Sequence, residues 1–215
     1  MSMSAPPGNR FERRRAETRQ ALVRAARRIL AETGDTGDTG ASIQTIAERA
    51  DVGFGSFYNH FSSKAELFDA AVADALEEFG RTFDERLAGI EDPAELVAAG
   101  FRFSVRMVDS HPELMQVLRR RGLQHIHSDQ GLAPRALRDL QAGIASGRFL
   151  PSDPVVTLTA MGGSLVSLVE LRFNRPDIDP DTTATALAEL MLRMLGVPPD
   201  EAHAISHRAL PDLDG

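Results

Sequence analysis

With 215 residues and 42 % apolar side chains, the chain can bury a sizeable core, and its composition is that of a folded protein rather than a disordered one. It has no cysteine, which excludes disulfides, thiolate zinc sites and cysteine nucleophiles. The net charge of −7 is unevenly spread: residues 1–64 carry 10 Lys+Arg against 7 Asp+Glu, and residues 65–215 carry 14 against 24, so a basic head precedes an acidic body and a nucleic-acid partner stays open.

The N-terminal MSMSAPPGNRFERRR has no apolar core of the kind a secretory signal needs. The most apolar stretch, 155–173, is interrupted by Thr, Ser, Gly and Glu. A cytoplasmic protein without a membrane partner is the expectation. In chain order, residues 1–9 read as a disordered arm. A first helix follows, starting near Asn9 with Glu12 as capping-box partner and ending at Gly34. Its apolar face is Leu22, Ala25, Ala26, Ile29 and Leu30, with arginines around it. GDTGDTG (34–40) is a loop. Ile43, Ile46 and Ala47 mark a two-turn helix, Ala50-Asp51-Val52 a tight turn, and 54–60 a short helix that buries Phe57 and Phe61.

Beyond that point the helix starts are written in capping chemistry. Ser63-Lys-Ala-Glu66 is a capping box. Asp92-Pro93, Ser110-His-Pro-Glu113, Asp153-Pro154 and Asp179-Pro180 place a capping side chain ahead of a proline in the first turn. Gly196 stops the helix 180–195, and Pro198-Pro199 opens a short terminal one. The prediction is an all-α protein of about nine or ten helices. Its domains are a three-helix helix-turn-helix unit over 10–62 and an effector-binding and dimerisation domain over 63–215.

Two short helices joined by a tight turn and backed by a longer one form a helix-turn-helix, whose second helix reads the major groove. Here IAERA-x-V-x-x-G-S-x-Y-x-H-F-x-S-K-x-x-L strongly resembles the DNA-binding segment of the TetR family of transcriptional regulators. The resemblance covers roughly residues 12–70. It implies an all-helical homodimer that binds a near-palindromic operator in double-stranded DNA, a repressor released by a small-molecule effector. It further implies that Tyr58 and Lys64, the only tyrosine and the only lysine in the chain, contact backbone phosphates, and that His60 does the same. Physical chemistry agrees. Lys64 falls at a helix N-terminus that already attracts anions, and a tyrosine hydroxyl donates readily to phosphate. Gly53, Phe54, Ser56 and Asn59 are the candidates for base readout. Asp51 stands where the family most often has glycine, and aspartate tolerates the left-handed conformation better than most residues.

In the acidic body, 96–108 and 155–173 are apolar over more than one stripe and are expected to be buried on several sides. The second, with Gly162-Gly163-Ser164 at its centre, resembles, together with 186–195, the family's contribution to an intersubunit four-helix bundle. Phe101, Val105, Met115, Leu118, Met161 and Leu165 are candidates for a ligand cavity. His125 and His127, at i and i+2, point apart. His203 and His207 are i, i+4 neighbours without a third ligand in view, so neither metal nor cofactor is expected. The alternative reading is an all-helical enzyme or carrier with an incidental helix-turn-helix, but no nucleophile elbow, Walker loop or HExxH supports catalysis.

Overall fold

The computed structural model describes residues 10–32, 40–150 and 152–210. The N-terminal arm and all but Gly40 of the GDTGDTG loop lie outside them, as do Asn9 and Gly34 at the expected ends of the first helix. Among the described residues the structure holds ten α-helices, one 3-10 turn and no strand. The helices are α1 (Arg10–Glu32), α2 (Ile43–Arg49), α3 (Phe54–Tyr58), α4 (Lys64–Arg86), α5 (Pro93–Ser110) and α6 (Pro112–Arg121). After the 3-10 turn Gly122–His125 come α7 (Leu132–Ala145), α8 (Pro154–Asn174), α9 (Pro180–Met194) and α10 (Pro199–Ser206). The chain divides into two compact units, Met1–Asp74 and Ala75–Gly215. The division falls inside α4, whereas capping chemistry alone suggests a boundary at its start.

In the N-terminal unit α1 packs on α2 and α2 on α3. Leu22, Val23, Ala26, Ile46, Phe57, Phe61 and Leu67 are all buried there. One arginine of the basic helix departs from the solvated face expected for it. Arg27 is buried, and its Nη1 donates to Asp74 Oδ2 at 2.9 Å, while Gln20 Nε2 donates to Oδ1 of the same carboxylate at 3.2 Å. A guanidinium in the apolar stripe is tolerated because a carboxylate meets it.

In the C-terminal unit α5 packs most extensively on α9, and the core includes Ala94, Ala98, Ala184 and Ala188, small side chains on these two helices. The proline-marked helix starts are capped as expected at three positions. Asp92 accepts from Ala94 N (3.0 Å), Asp153 from Val155 N (2.9 Å) and Asp179 from Thr182 N (2.7 Å). The fourth is different. Ser110 is the last residue of α5 and bonds back to Arg106 O, while His111 occupies the cap of α6 without a side-chain bond to that helix's backbone. The capping box at α4 is also shifted: Ser63 Oγ accepts from Glu66 N, but Glu66 Oε2 reaches back to the N–H and hydroxyl of Ser62.

Helix α8 departs furthest from expectation. It is long and apolar enough, by length and composition only, to cross a membrane, yet only 17 % of its most apolar window is buried within the chain. Val155 and Val156 are exposed, as are Leu190 and Met194 on α9. Leu158, Leu168 and Val169 join the core, but much of the apolar surface of α8 lies outside it.

Candidate nucleic-acid interface and ligand cavity

The turn between α2 and α3 is built by backbone bonds. Asp51 N donates to Glu48 O (3.1 Å) and Val52 N to Ala47 O (3.0 Å), the paired pattern that closes a helix through a left-handed residue. That residue is Asp51, with φ of 54°, the one non-glycine at positive φ among the described residues. At the other end of α2, Ser42 Oγ accepts from Thr45 N at 3.0 Å. These two devices fix where α3 begins.

Helix α3 is five residues long and capped by Gly53, shorter than the 54–60 span expected, although the backbone bonds His60 N→Phe57 O and Phe61 N→Phe57 O continue the turn. Phe57 and Phe61 are buried with ring centroids 6.1 Å apart. Their burial orients the rest of the segment. Phe54 and Tyr58, one helical turn apart, stand 52 % and 56 % exposed and meet edge to face at 5.9 Å. Gly53 and Asn59 are exposed, and Ser56 and His60 are half-buried. All six non-lysine candidates for DNA contact are thus on one short segment with solvent access. Lys64, half-buried, is the first residue of α4.

The electrostatics beside this segment are positive. Arg19 lies over the Phe61 ring at 5.0 Å. Burial, then the charges of Arg15 and Arg19, hold the His60 imidazole below the ordinary histidine range. Near neutral pH it is therefore a neutral donor or acceptor of hydrogen bonds, not a third cation.

The C-terminal unit holds an apolar cavity of about 120 Å³ that is partly open to solvent. Of the six sequence candidates, Phe101, Leu118, Met161 and Leu165 line it. Val105 and Met115 are buried in the surrounding core and do not reach it. The sequence reading omitted two walls, Leu76, Phe79 and Phe83 from α4 and Leu132, Ala136 and Leu140 from α7. Only the packing says which apolar residues of these two helices face a void and which face one another. Gly100 contributes by absence, since a Cβ there would stand 2.5 Å from Phe83 Cζ. Polar side chains are sparse in the wall: His125, Gln130 and Asp139. His125 Nδ1–H donates to Arg121 O at 2.8 Å, which leaves Nε2 as an acceptor, and Arg138 Nε holds Asp139 Oδ1 at 2.8 Å.

Comparison with known proteins bears on both regions. Residues 22–71 match the family described as bacterial regulatory proteins, tetR family, and residues 92–208 match the tetracyclin repressor-like C-terminal domain. No curated protein matches the sequence. Among solved structures, RolR in complex with resorcinol is 32 % identical over 94 % of this chain and 99 % of its own, with a TM-score of 0.64. The fatty acid degradation regulator FadR from Bacillus halodurans is 18 % identical over 81 % of this chain and 94 % of its own, at a TM-score of 0.65. FadR from Bacillus subtilis in complex with stearoyl-CoA is 16 % identical over 80 % and 97 %, at 0.61. The two FadR structures share the fold alone.

Proposed function

Because this chain belongs to the TetR family of bacterial transcriptional regulators, we propose that it is a homodimeric repressor that leaves its operator when a small monocyclic, weakly polar molecule fills the cavity. Tyr58, His60 and Lys64 hold backbone phosphates and set the register. Phe54, Ser56 and Asn59, with the Gly53 backbone, read base edges. Exposure of Phe54 and Tyr58 beside a buried Phe57 supports this, since a large aromatic left in solvent on a five-residue helix has no packing role of its own. A second copy covers the apolar surface of α8 and α9, so the operator is a near-palindrome with half-sites one helical turn or more apart. The domain assignment follows: residues 10–62, joined by Lys64 at the start of α4, bind DNA, and the remainder of 63–215 binds effector and partner.

The observation that carries the effector reading is the size and lining of the cavity. An apolar cavity of about 150 Å³ takes up benzene, so one of about 120 Å³ has room for a single ring. RolR is seen with resorcinol, a benzene ring bearing two hydroxyls. Asp139 and His125 Nε2 are acceptors suited to hydroxyl donors of that kind, and a wall otherwise nearly all apolar suits the ring face. Helix α4 begins with Lys64 and carries Leu76, Phe79 and Phe83 in the cavity wall, so a ligand that displaces those side chains acts on the helix that also holds phosphate.

Selection of bound DNA from a random pool tests the reading. A recovered near-palindrome, released by resorcinol or a related phenol and insensitive to it in Asp139→Asn, is the expected result. Catalytic turnover of a phenol by a protein without sequence-dependent DNA binding would sink it.

A further inference from the structure

Helices α9 and α10 bring together Glu189, His203 and His207, and one donor atom from each lies within 4.8 Å of the other two. His203 on α10 and His207 at its C-cap lie one turn apart on the same face, with ring centroids 4.1 Å apart. Both rings are already oriented. His207 Nδ1–H donates to His203 O at 2.8 Å, which leaves the Nε2 lone pair directed away from the helix backbone. This is the arrangement in which metal-bound histidines are found, with the second nitrogen tied to a carbonyl. His203 Nδ1 lies 3.0 Å from Glu189 Oε2.

We propose that Glu189, His203 and His207 form a divalent transition-metal site that clamps α10 to α9. Two ligands on one cation with bonds of about 2.1 Å are at most about 4.2 Å apart, and about 3.4 Å apart when tetrahedral. The His203–Glu189 contact, at 3.0 Å, is a few tenths of an ångström shorter than that edge, so a small parting lets a cation take the place of the proton the two share. The widest separation, at most 4.8 Å, closes by up to about 1.4 Å to reach the tetrahedral edge, through rotation of side chains of which both histidines are exposed and Glu189 half-buried. Two imidazoles and one carboxylate, in a chain without thiols, select Zn²⁺, Ni²⁺ or Cu²⁺ over Mg²⁺ or Ca²⁺. Water fills the remaining positions. The sequence shows only the i, i+4 histidines. The third donor is fourteen residues away and comes into reach because α10 folds back on α9.

Untagged protein, stripped with chelator and titrated calorimetrically with Zn²⁺, should bind one ion per chain. His203→Ala and His207→Ala should each weaken binding by at least about tenfold, and Glu189→Gln by about tenfold. His127→Ala, outside the cluster, should leave it unchanged. Zn²⁺ should also raise the melting midpoint of wild type but not of the double histidine variant. Because the substituted groups lie at the surface, each variant should keep its fold, which far-UV circular dichroism checks. An absence of saturable binding, or binding that survives the double histidine substitution, overturns the site. Binding that is unaffected by Glu189→Gln removes the third donor and with it the clamp.

Discussion

In the N-terminal unit Phe57 and Phe61 are buried, and the residues proposed to meet DNA are the ones this burial turns outward, Phe54, Tyr58 and Asn59. In the C-terminal unit the relation is reversed, because the feature proposed to bind the effector is what the core fails to fill. A small unit can present a precise surface only if its few core side chains leave no alternative packing. A larger unit has enough buried area to tolerate a void. Substitutions on the outer face of α3 should therefore change function at little cost in stability, whereas changes in the C-terminal unit should move both together.

The largest effect is expected on the apolar surface of α8 that is proposed to meet a second copy. At Gly163 a Cβ would have nothing within 4 Å in the single chain, so Gly163→Arg should fold normally. It should nonetheless yield monomers by light scattering and cost at least about a hundredfold in operator affinity, because two linked half-site contacts become one. A dimer that survives this substitution places the interface elsewhere.

Next comes a position that shares its backbone with the DNA-reading turn. Gly196 closes α9 through the same pair of bonds that Asp51 uses to close α2: Gly196 N→Arg193 O and Val197 N→Leu192 O, at φ of 88°. A Cβ at Gly196 would stand 2.2 Å from Leu150 Cγ, so Gly196→Asp should destabilise by about 3 kcal/mol in urea unfolding. The same residue type is tolerated in one unit and excluded in the other, and the neighbour decides.

Most of the helix plan was legible because it is written in local chemistry. Asp92, Asp153 and Asp179 each cap the helix whose first residue is the following proline. The turn was legible through Asp51, and the recognition segment through Phe57, Tyr58 and Phe61 at their spacing. What failed depends on partners far along the chain. Arg27 reads as a surface charge until Asp74 meets it. Val105 and Met115 have the same composition and spacing as true cavity residues but are covered on every side. The apolar continuity of α8 reads as a buried helix, yet Val155 and Val156 face outward.

Smaller effects sharpen the contrast from the N-terminal side. Lys64→Ala should weaken binding to every DNA sequence by about tenfold and lower the salt slope by about 1 per subunit, with the thermal midpoint nearly unchanged. Sequence preference should move instead with Ser56 or Asn59 substitutions. Smallest of all, Asp51→Gly should relieve the left-handed strain and stabilise by about 0.5–1 kcal/mol, since no side chain there is needed for the turn.

The central claim is that the cavity and the DNA-reading face are energetically coupled. Its most direct measurement is the affinity of the protein for resorcinol with and without saturating operator, alongside the affinity for operator with and without saturating resorcinol. Coupling of about 1.4 kcal/mol appears as a tenfold loss in each, and reciprocity requires the two factors to be equal. The expected result is a loss of at least about tenfold in both. Resorcinol binding of the same strength whether or not operator is present, or no resorcinol binding at all, would contradict the account.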